Sequence, residues 1–297
     1  MGRLEGKVAI VTGAGCVGTG WGNGRAMAVR FAEEGARVFA VDRDPERLKE
    51  TLERAGYGGA GTSAGTSAAS SAGTSAGTSA APSANARTGA APMMVAHQCD
   101  ATDSASVKAM IDAAVKQFGR IDILVNNVGG SAAGGPVEMS EEVWDAQIDF
   151  NLKSVFLGCK HVLPLMEAQG SGVIINIASS SGLRWTGAAQ VAYAATKAAV
   201  MQLTKVVAVQ YAPKGIRVNC VVPGQLHTPM VETRLAKQRA DGNVEALLAS
   251  RRKRIPLGFM GDGRDTANAA LFLASDEAKF ITGTDIIVDG GMTARCD

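Results

Sequence analysis

Seven short apolar runs separated by amphipathic stretches constrain this chain more than any other feature of its sequence. The runs fall at residues 7–11, 37–41, 93–96, 121–125, 173–177, 218–222 and 286–288. They are almost continuously apolar, which a strand tolerates only when both of its faces are covered. The stretches between them carry helical periodicity, and strands alternating with helices build a parallel sheet between helical layers. Residues 24–34 are helix-like with Gly35 at the C-terminal cap, and residues 45–54 form a second helix opened by Asp44 as N-cap. The 297-residue chain therefore reads as α/β: a doubly wound parallel sheet in three layers, helices on both faces, one domain over 1–297.

One stretch breaks the rhythm. Residues 56–92 carry near-repeats of Gly-Thr-Ser-Ala, and residues 55–86 contain no Asp, Glu, Lys, Arg or His. So little apolar surface cannot offset the entropy of ordering, which predicts a flexible surface insertion. It joins the second helix to the third strand, at the sheet edge away from a ligand crevice. A partner-binding or surface-modified loop is the alternative.

Several function classes are disfavoured. The formal net charge is +2, too small a field to recruit nucleic acid or an anionic membrane. No apolar run reaches the roughly 18 to 20 residues of a membrane span, and the N-terminus enters the first strand with no signal-peptide core. The five cysteines (Cys16, Cys99, Cys159, Cys220, Cys296) are scattered and never C-x-x-C, which argues against disulfides or structural zinc and for a reducing cytoplasm. His97, His161 and His227 lack metal-ligand spacing, so no metal site is expected. Arg251-Arg-Lys-Arg254 is the one basic run, best read as a solvated helix end.

Between the first strand and first helix lies Thr12-Gly-Ala-Gly-Cys-Val-Gly-Thr-Gly-Trp-Gly-Asn-Gly24. Glycines there let the backbone approach a pyrophosphate, whose charge sits on the amides of the helix N-terminus. Alone, such a stretch is equally a turn; after a strand, before a helix and upstream of an acidic strand end, it points to a dinucleotide. Asp42, 18 residues beyond Gly24, is placed to accept hydrogen bonds from ribose hydroxyls and to repel a 2′-phosphate, which favours NAD over NADP. Arg43 beside it softens that preference.

These motifs, with others downstream, resemble the short-chain dehydrogenase/reductase family in its shorter single-domain branch. Thr12-Gly13 with Gly22-Asn-Gly24-Arg25-Ala26 is similar to the family's T-G-x-x-x-G-x-G. Asn126-Asn127-Val128-Gly129 resembles N-N-A-G, and Asn176-Ile-Ala-Ser-Ser-Ser-Gly182 the N-I-S-S-x-x-G strand. Tyr193-Ala-Ala-Thr-Lys197 matches Y-x-x-x-K, Pro223-Gly-Gln-Leu-His-Thr228 matches P-G-x-x-x-T, and 281–291 matches the family's ending. The likeness spans nearly the whole chain outside the low-complexity insertion. It departs from the pattern in two places. The glycine-rich loop is five residues longer than the family's, and Trp21 stands where NADP-preferring relatives often carry a basic residue. The segment up to Tyr193 is one residue longer, so Ser180 competes with Ser179 for the catalytic position.

The resemblance implies a Rossmann-like fold and hydride transfer between a nicotinamide and a secondary alcohol or ketone, a small-molecule substrate. It implies Tyr193 as acid/base, Lys197 as its partner, Ser179 on the substrate oxygen and Asn151 anchoring a water relay. Tyr193 and Lys197, four apart, share one helix face, and an ammonium beside a phenol lowers a pKa normally near 10. Implied cofactor contacts are Gly13, Gly22, Asn23, Gly24, Asp42, Asp100, Ala101, Asn126, Gly129, Tyr193, Lys197, Pro223, Gly224 and Thr228. For Asp100 the alternative is the N-cap region of the following helix. Residues 228–257 would form a lid over substrate, in which the basic run could meet an acidic group, and a homotetramer or homodimer is the expected assembly. Arg184, Trp185 and Gln190 are candidates for the substrate pocket. Two rival functions are an NAD-binding sensor without turnover, against which the complete Tyr-Lys-Ser-Asn set argues, and an epimerase/dehydratase-type relative, for whose C-terminal domain too little chain follows Lys197.

Overall fold

The computed structural model describes residues 2–57, 93–236 and 242–296. Its seven strands are β1 (Val8–Thr12), β2 (Arg37–Asp42), β3 (Met94–Gln98), β4 (Ile123–Asn126), β5 (Gly172–Ile177), β6 (Ile216–Pro223) and β7 (Asp285–Val288). They form one parallel sheet in the order β3-β2-β1-β4-β5-β6-β7. The chain winds outward one way from β1 to β3, then returns to wind the other way from β4, so the crevice of a doubly wound sheet lies between the C-terminal ends of β1 and β4.

The helices are α1 (Asn23–Glu33), α2 (Glu46–Arg54), α3 (Ser104–Phe118), α4 (Glu141–Ile148), α5 (Ser154–Gln169), α6 (Val191–Tyr211), α7 (Val244–Arg252) and α8 (Gly263–Ala274). Successive strand side chains go to opposite faces, and the core divides accordingly. Val8, Ile10, Leu124, Ile174 and Val218 join Met110, Val162 and Val200 of α3, α5 and α6 in one apolar cluster. Ala9, Val11, Val125, Ile175 and Val221 join Met27, Leu48 and Leu271 of α1, α2 and α8 in the other. This is the three-layer arrangement that the uninterrupted apolar runs require.

Polar residues with distant partners hid the element ends. β4 begins at Ile123, two residues into its apolar run; Asp122 just before it donates its amide to the Val8 carbonyl at 2.9 Å and accepts the Val8 amide on its carboxylate at 2.9 Å. β6 begins two residues earlier than its apolar run, since Arg217 spends its guanidinium on the carbonyls of Ile281 and Ser275. The N-cap of α2 is Pro45 rather than Asp44, although the Asp44 carboxylate still accepts the Glu46 amide at 3.1 Å. Gly35 follows α1 at φ 89°, the left-handed conformation glycine adopts freely. Of the low-complexity insertion, residues 58–92 lie outside the described residues, as do 237–241 of the expected lid. No described helix is long and apolar enough to cross a membrane.

Leu124, fully buried at the centre of the sheet, should report the coupling of both halves. Leu124→Ala should cost about 2–5 kcal/mol in chemical denaturation; a loss below about 1 kcal/mol would show that the centre of the sheet is not the tightly packed core described.

Candidate active site

Where β1 ends, the backbone turns away through Gly13 at φ 62°. A Cβ on Gly24 would overlap the Gly13 carbonyl, and one on Gly22 would stand 2.8 Å from the Cys16 sulfur. The first turn of α1 therefore closes directly onto the end of β1, an approach only glycine permits. Asn127 fixes it from the neighbouring strand, donating from Nδ2 to the carbonyls of Thr12 and Gly13 at 3.0 and 3.1 Å. Its own amide donates to Thr12 Oγ1 at 3.0 Å. α1 has no side-chain cap and no acidic residue in its first turn, which leaves its N-terminal amides available to an anion. Beside them, Asn23 Oδ1 is buried without a hydrogen-bond partner.

The five extra residues of the loop are held by Arg25, only 1% exposed. Its guanidinium donates to the carbonyls of Gly18 and Gly20 at 3.2 and 2.9 Å and to Thr51 Oγ1 at 3.2 Å. It also pairs with Glu50 at 2.7 Å. A Cβ added to Gly18 or Gly20 would stand 3.3 or 3.4 Å from Pro229. Trp21 lies outside the cleft, its ring within cation–π distance of Arg54 at 4.6 Å and Arg264 at 5.7 Å. Asp42 ends β2 inside the cleft, its carboxylate accepting the amides of Gly15 at 3.1 Å and Asp44 at 3.0 Å.

A cleft of about 880 Å³ runs from Asp42 across the strand ends to Arg251. Gly13, Gly22, Asn23, Gly24, Asp100, Ala101, Gly129, Pro223, Gly224 and Thr228 line it, as do Ser179, Tyr193 and Lys197. Asn126 does not. It is buried behind the wall, donating to Asn176 Oδ1 at 2.9 Å, and its neighbour Asn127 lines the cleft instead. The N-cap of α3 is Asp103. Asp100, three residues earlier, makes its own turn, accepting the amide and hydroxyl of Thr102 at 2.9 and 2.7 Å; these bonds hold its carboxyl below the ordinary carboxylate range.

At the other end, α6 brings Tyr193 and Lys197 to one face, with Lys197 Nζ 5.7 Å from the centre of the tyrosine ring. Nζ donates to the Ile177 carbonyl at the end of β5 at 2.8 Å. Asn151 sits fully buried in a π-helical turn (Asp149–Lys153) between α4 and α5, the kind of irregularity that gathers at functional sites. Asn151 Oδ1 accepts the Gly130 amide at 2.9 Å. That oxygen and Lys197 Nζ both lie within 3.0 Å of where a Gly129 side chain would begin. Ser179 is half-buried at the strand end, whereas Ser180 is 2% exposed; both border the cleft.

A family model described as Enoyl-(Acyl carrier protein) reductase matches residues 62–293. A crystal structure from Burkholderia xenovorans is 56% identical, covers 100% of each chain and superposes with a TM-score of 0.85. Oxidoreductase UcpA of Escherichia coli (strain K12) is 38% identical over 99% of this chain and 97% of its own. The 2,5-dichloro-2,5-cyclohexadiene-1,4-diol dehydrogenase LinX of Sphingobium indicum is 38% identical over 97% of each. The chain belongs to the short-chain dehydrogenase/reductase family. It is thus kin to oxidoreductases that use nicotinamide cofactors.

Within this short-chain dehydrogenase/reductase site, the sequence passed over several residues. Gly15, Arg47, Gln225 and Arg234 line the cleft, as does Arg251 of the basic run. Arg251 is 5% exposed and Arg254 donates to the Thr186 carbonyl at 2.8 Å, so the basic run is not a solvated helix end. Of the pocket candidates, Gln190 lines the cleft, and Arg184 and Trp185 line an adjoining cavity of about 480 Å³ that shares Ser181, Thr186 and Gln190 with it; Arg184 also donates to the carbonyls of Thr293 and Arg295. His227 pairs with Glu232 on the surface at 2.9 Å.

Burial pushes the Lys197 ammonium down to about 8, because removal from water penalises the charged form. The unfolded lysine, near 10.5, keeps its proton longer, so this group costs stability below pH 8 and the cost is relieved as pH rises to 10.5. A depression of this size is worth about 3 kcal/mol, from which loss of the Ile177 hydrogen bond takes back about 1 kcal/mol. Lys197→Met should therefore raise the melting temperature of the unliganded protein at pH 7, with the gain shrinking between pH 8 and pH 10.5. A variant less stable than wild type at pH 7 would contradict this.

Proposed function

We propose that this protein is an NAD-preferring dehydrogenase/reductase that interconverts a secondary alcohol and a ketone, with Tyr193 as the acid/base. One observation carries the reading: Lys197 and Tyr193 meet in the wall of the same cleft whose far end is the glycine cradle at the start of α1. The residues present fit a dinucleotide. An uncapped helix N-terminus, an unpartnered buried Asn23 Oδ1 and glycines too close to admit side chains make an anion seat.

Gly13, Gly22, Asn23 and Gly24 would hold the pyrophosphate, Asp42 the adenosine ribose, and Asp100 with Ala101 the adenine. Gly129 and Lys197 would meet the nicotinamide ribose, and Pro223, Gly224 and Thr228 would close over the nicotinamide. Held there, a nicotinamide would supply or accept the hydride. Tyr193 Oη gives or takes the proton of the substrate oxygen, and Ser179 Oγ hydrogen-bonds that oxygen and orients it. The Lys197 ammonium favours the phenolate. Asn151, whose side chain faces Gly129 alongside Lys197, anchors the water that links Lys197 to solvent. Asp42 supports NAD by repelling a 2′-phosphate; Arg43 and Arg47 line the same end and oppose it. Residues 228–236 and 242–257 would form the substrate lid. Phe156 on α5 and Val206 and Val209 on α6, 50 to 76% exposed, support assembly into a homodimer or homotetramer.

Tyr193→Phe separates binding from chemistry. Against a panel of cyclic alcohols, sugars, hydroxy acids, steroids and ketoacyl thioesters, wild type should change absorbance at 340 nm with NAD and less with NADP. The variant should bind NADH as wild type does while kcat/KM falls about 10²–10⁴-fold. Undiminished turnover would refute the acid/base assignment, and equal or faster turnover with NADP would refute the cofactor preference.

A further inference from the structure

The first turn of α6 stands between the cleft and the cavity of about 480 Å³ beside it. Gln190, just before the helix, and Tyr193 and Lys197 within it fall at helical spacing along the cleft. Val191, Ala194 and Ala195 fall at the same spacing on the neighbouring face and line the second cavity. Pro136, Trp185 and Ala188 add to its apolar wall. Backbone bonds hold that wall together: the Gly134 carbonyl accepts the Val191 amide, and the Gly134 amide donates to the Ala189 carbonyl, both at 3.1 Å. The polar groups that both spaces share are tied to one another. Gln190 Nε2 donates to Ser181 Oγ at 2.6 Å and to Thr186 Oγ1 at 3.2 Å, and the two hydroxyl oxygens are 3.1 Å apart. Among the described residues lining the second cavity, Arg184 carries the one charge, and its guanidinium donates to the carbonyls of Thr293 and Arg295.

A cavity walled by an indole, a proline ring and small aliphatic side chains, its hydroxyls and its charge already hydrogen-bonded, offers a ligand apolar surface above all. Trp185 is 74% exposed in that wall, so an apolar group seated there takes a large ring out of water. We propose that this cavity holds the apolar arm of the substrate: the alcohol or ketone carbon that reacts at Tyr193 carries an alkyl chain or a ring that passes Gln190 and lies against Trp185. The inference rests on the dehydrogenase/reductase reading of the cleft and names the substrate class within it.

The test uses wild type saturated with NAD, titrated calorimetrically with 2-butanol, 2-hexanol, 2-octanol and 1-phenylethanol, with absorbance at 340 nm followed in parallel. Affinity should rise at least about twofold for each added methylene, full burial of one being worth about fourfold. By the same measure 1-phenylethanol should bind at least about tenfold more tightly than 2-butanol. Ala188 lines the second cavity and not the cleft, so Ala188→Leu should flatten the series while leaving 2-butanol as in wild type. Trp185→Ala should lower the slope, and Trp185→Phe should keep most of it. Equal affinity across the series, including no detectable binding of any member, would overturn the proposal, as would a slope that survives Ala188→Leu or Trp185→Ala in full. A changed sedimentation mass in Trp185→Ala with the slope intact would overturn it in favour of a contact between copies of this chain. A silent absorbance trace with the slope intact would overturn the dehydrogenase/reductase reading and leave the apolar subsite standing.

Discussion

The closure of α1 onto the end of β1 is the contact on which the rest of the molecule depends. Because Gly24 lies against the Gly13 carbonyl, the axis of α1 points its unsatisfied amides into the crevice between β1 and β4. Because Asn127 reaches back across that crevice to Thr12 and Gly13, the two strands that diverge at the switch point stay tied at their C-terminal ends. The sheet order then does the remaining placement. β5 and β6 follow β4 in register, so Ser179 and Pro223 emerge on the same edge as the glycine loop. α6 packs on that half of the sheet and delivers Lys197 to the Ile177 carbonyl. One backbone approach and one strand order thus bring distant stretches of chain to a single cleft.

Two buried charges meet the cost of desolvation differently. Lys197 is held in a setting that depresses its pKa, and Arg25 is almost wholly enclosed. Arg25 recovers its desolvation through carbonyls, a hydroxyl and Glu50, and in doing so turns the extra residues of the loop into a fixed wall. A side chain grown from Gly18 or Gly20 would meet Pro229. Lys197 has fewer partners, and its cost is the kind a protein retains where chemistry needs the charge.

The fold was legible because strands buried on both faces leave an unambiguous apolar run, and because helix caps such as Gly35 act locally. Tyr193 and Lys197 were legible for the same reason: their relation is four residues on one helix. What escaped were side chains whose partners are remote in sequence. Asn126 and Asn127 look alike in the chain, but the alternation of a strand sends one into the core toward Asn176 and leaves the next in the crevice. Arg25 read as part of a motif, since nothing nearby announces Glu50 or Thr51 as its partners. The basic run read as surface because four cations in a row usually are; helical geometry sent Arg251 inward and Arg252 out. Trp21 was weighed only by its place in the loop, and it stacks with Arg54 and Arg264 outside the cleft.

A crystal structure of the protein with NAD and a bound alcohol tests the central claim most directly. The account predicts the pyrophosphate on the amides that open α1, the adenosine ribose on Asp42, and the alcohol oxygen about 3 Å from Tyr193 Oη with its carbon facing the nicotinamide. A dinucleotide seated elsewhere, or a tyrosine hydroxyl turned away from the reacting carbon, would contradict it.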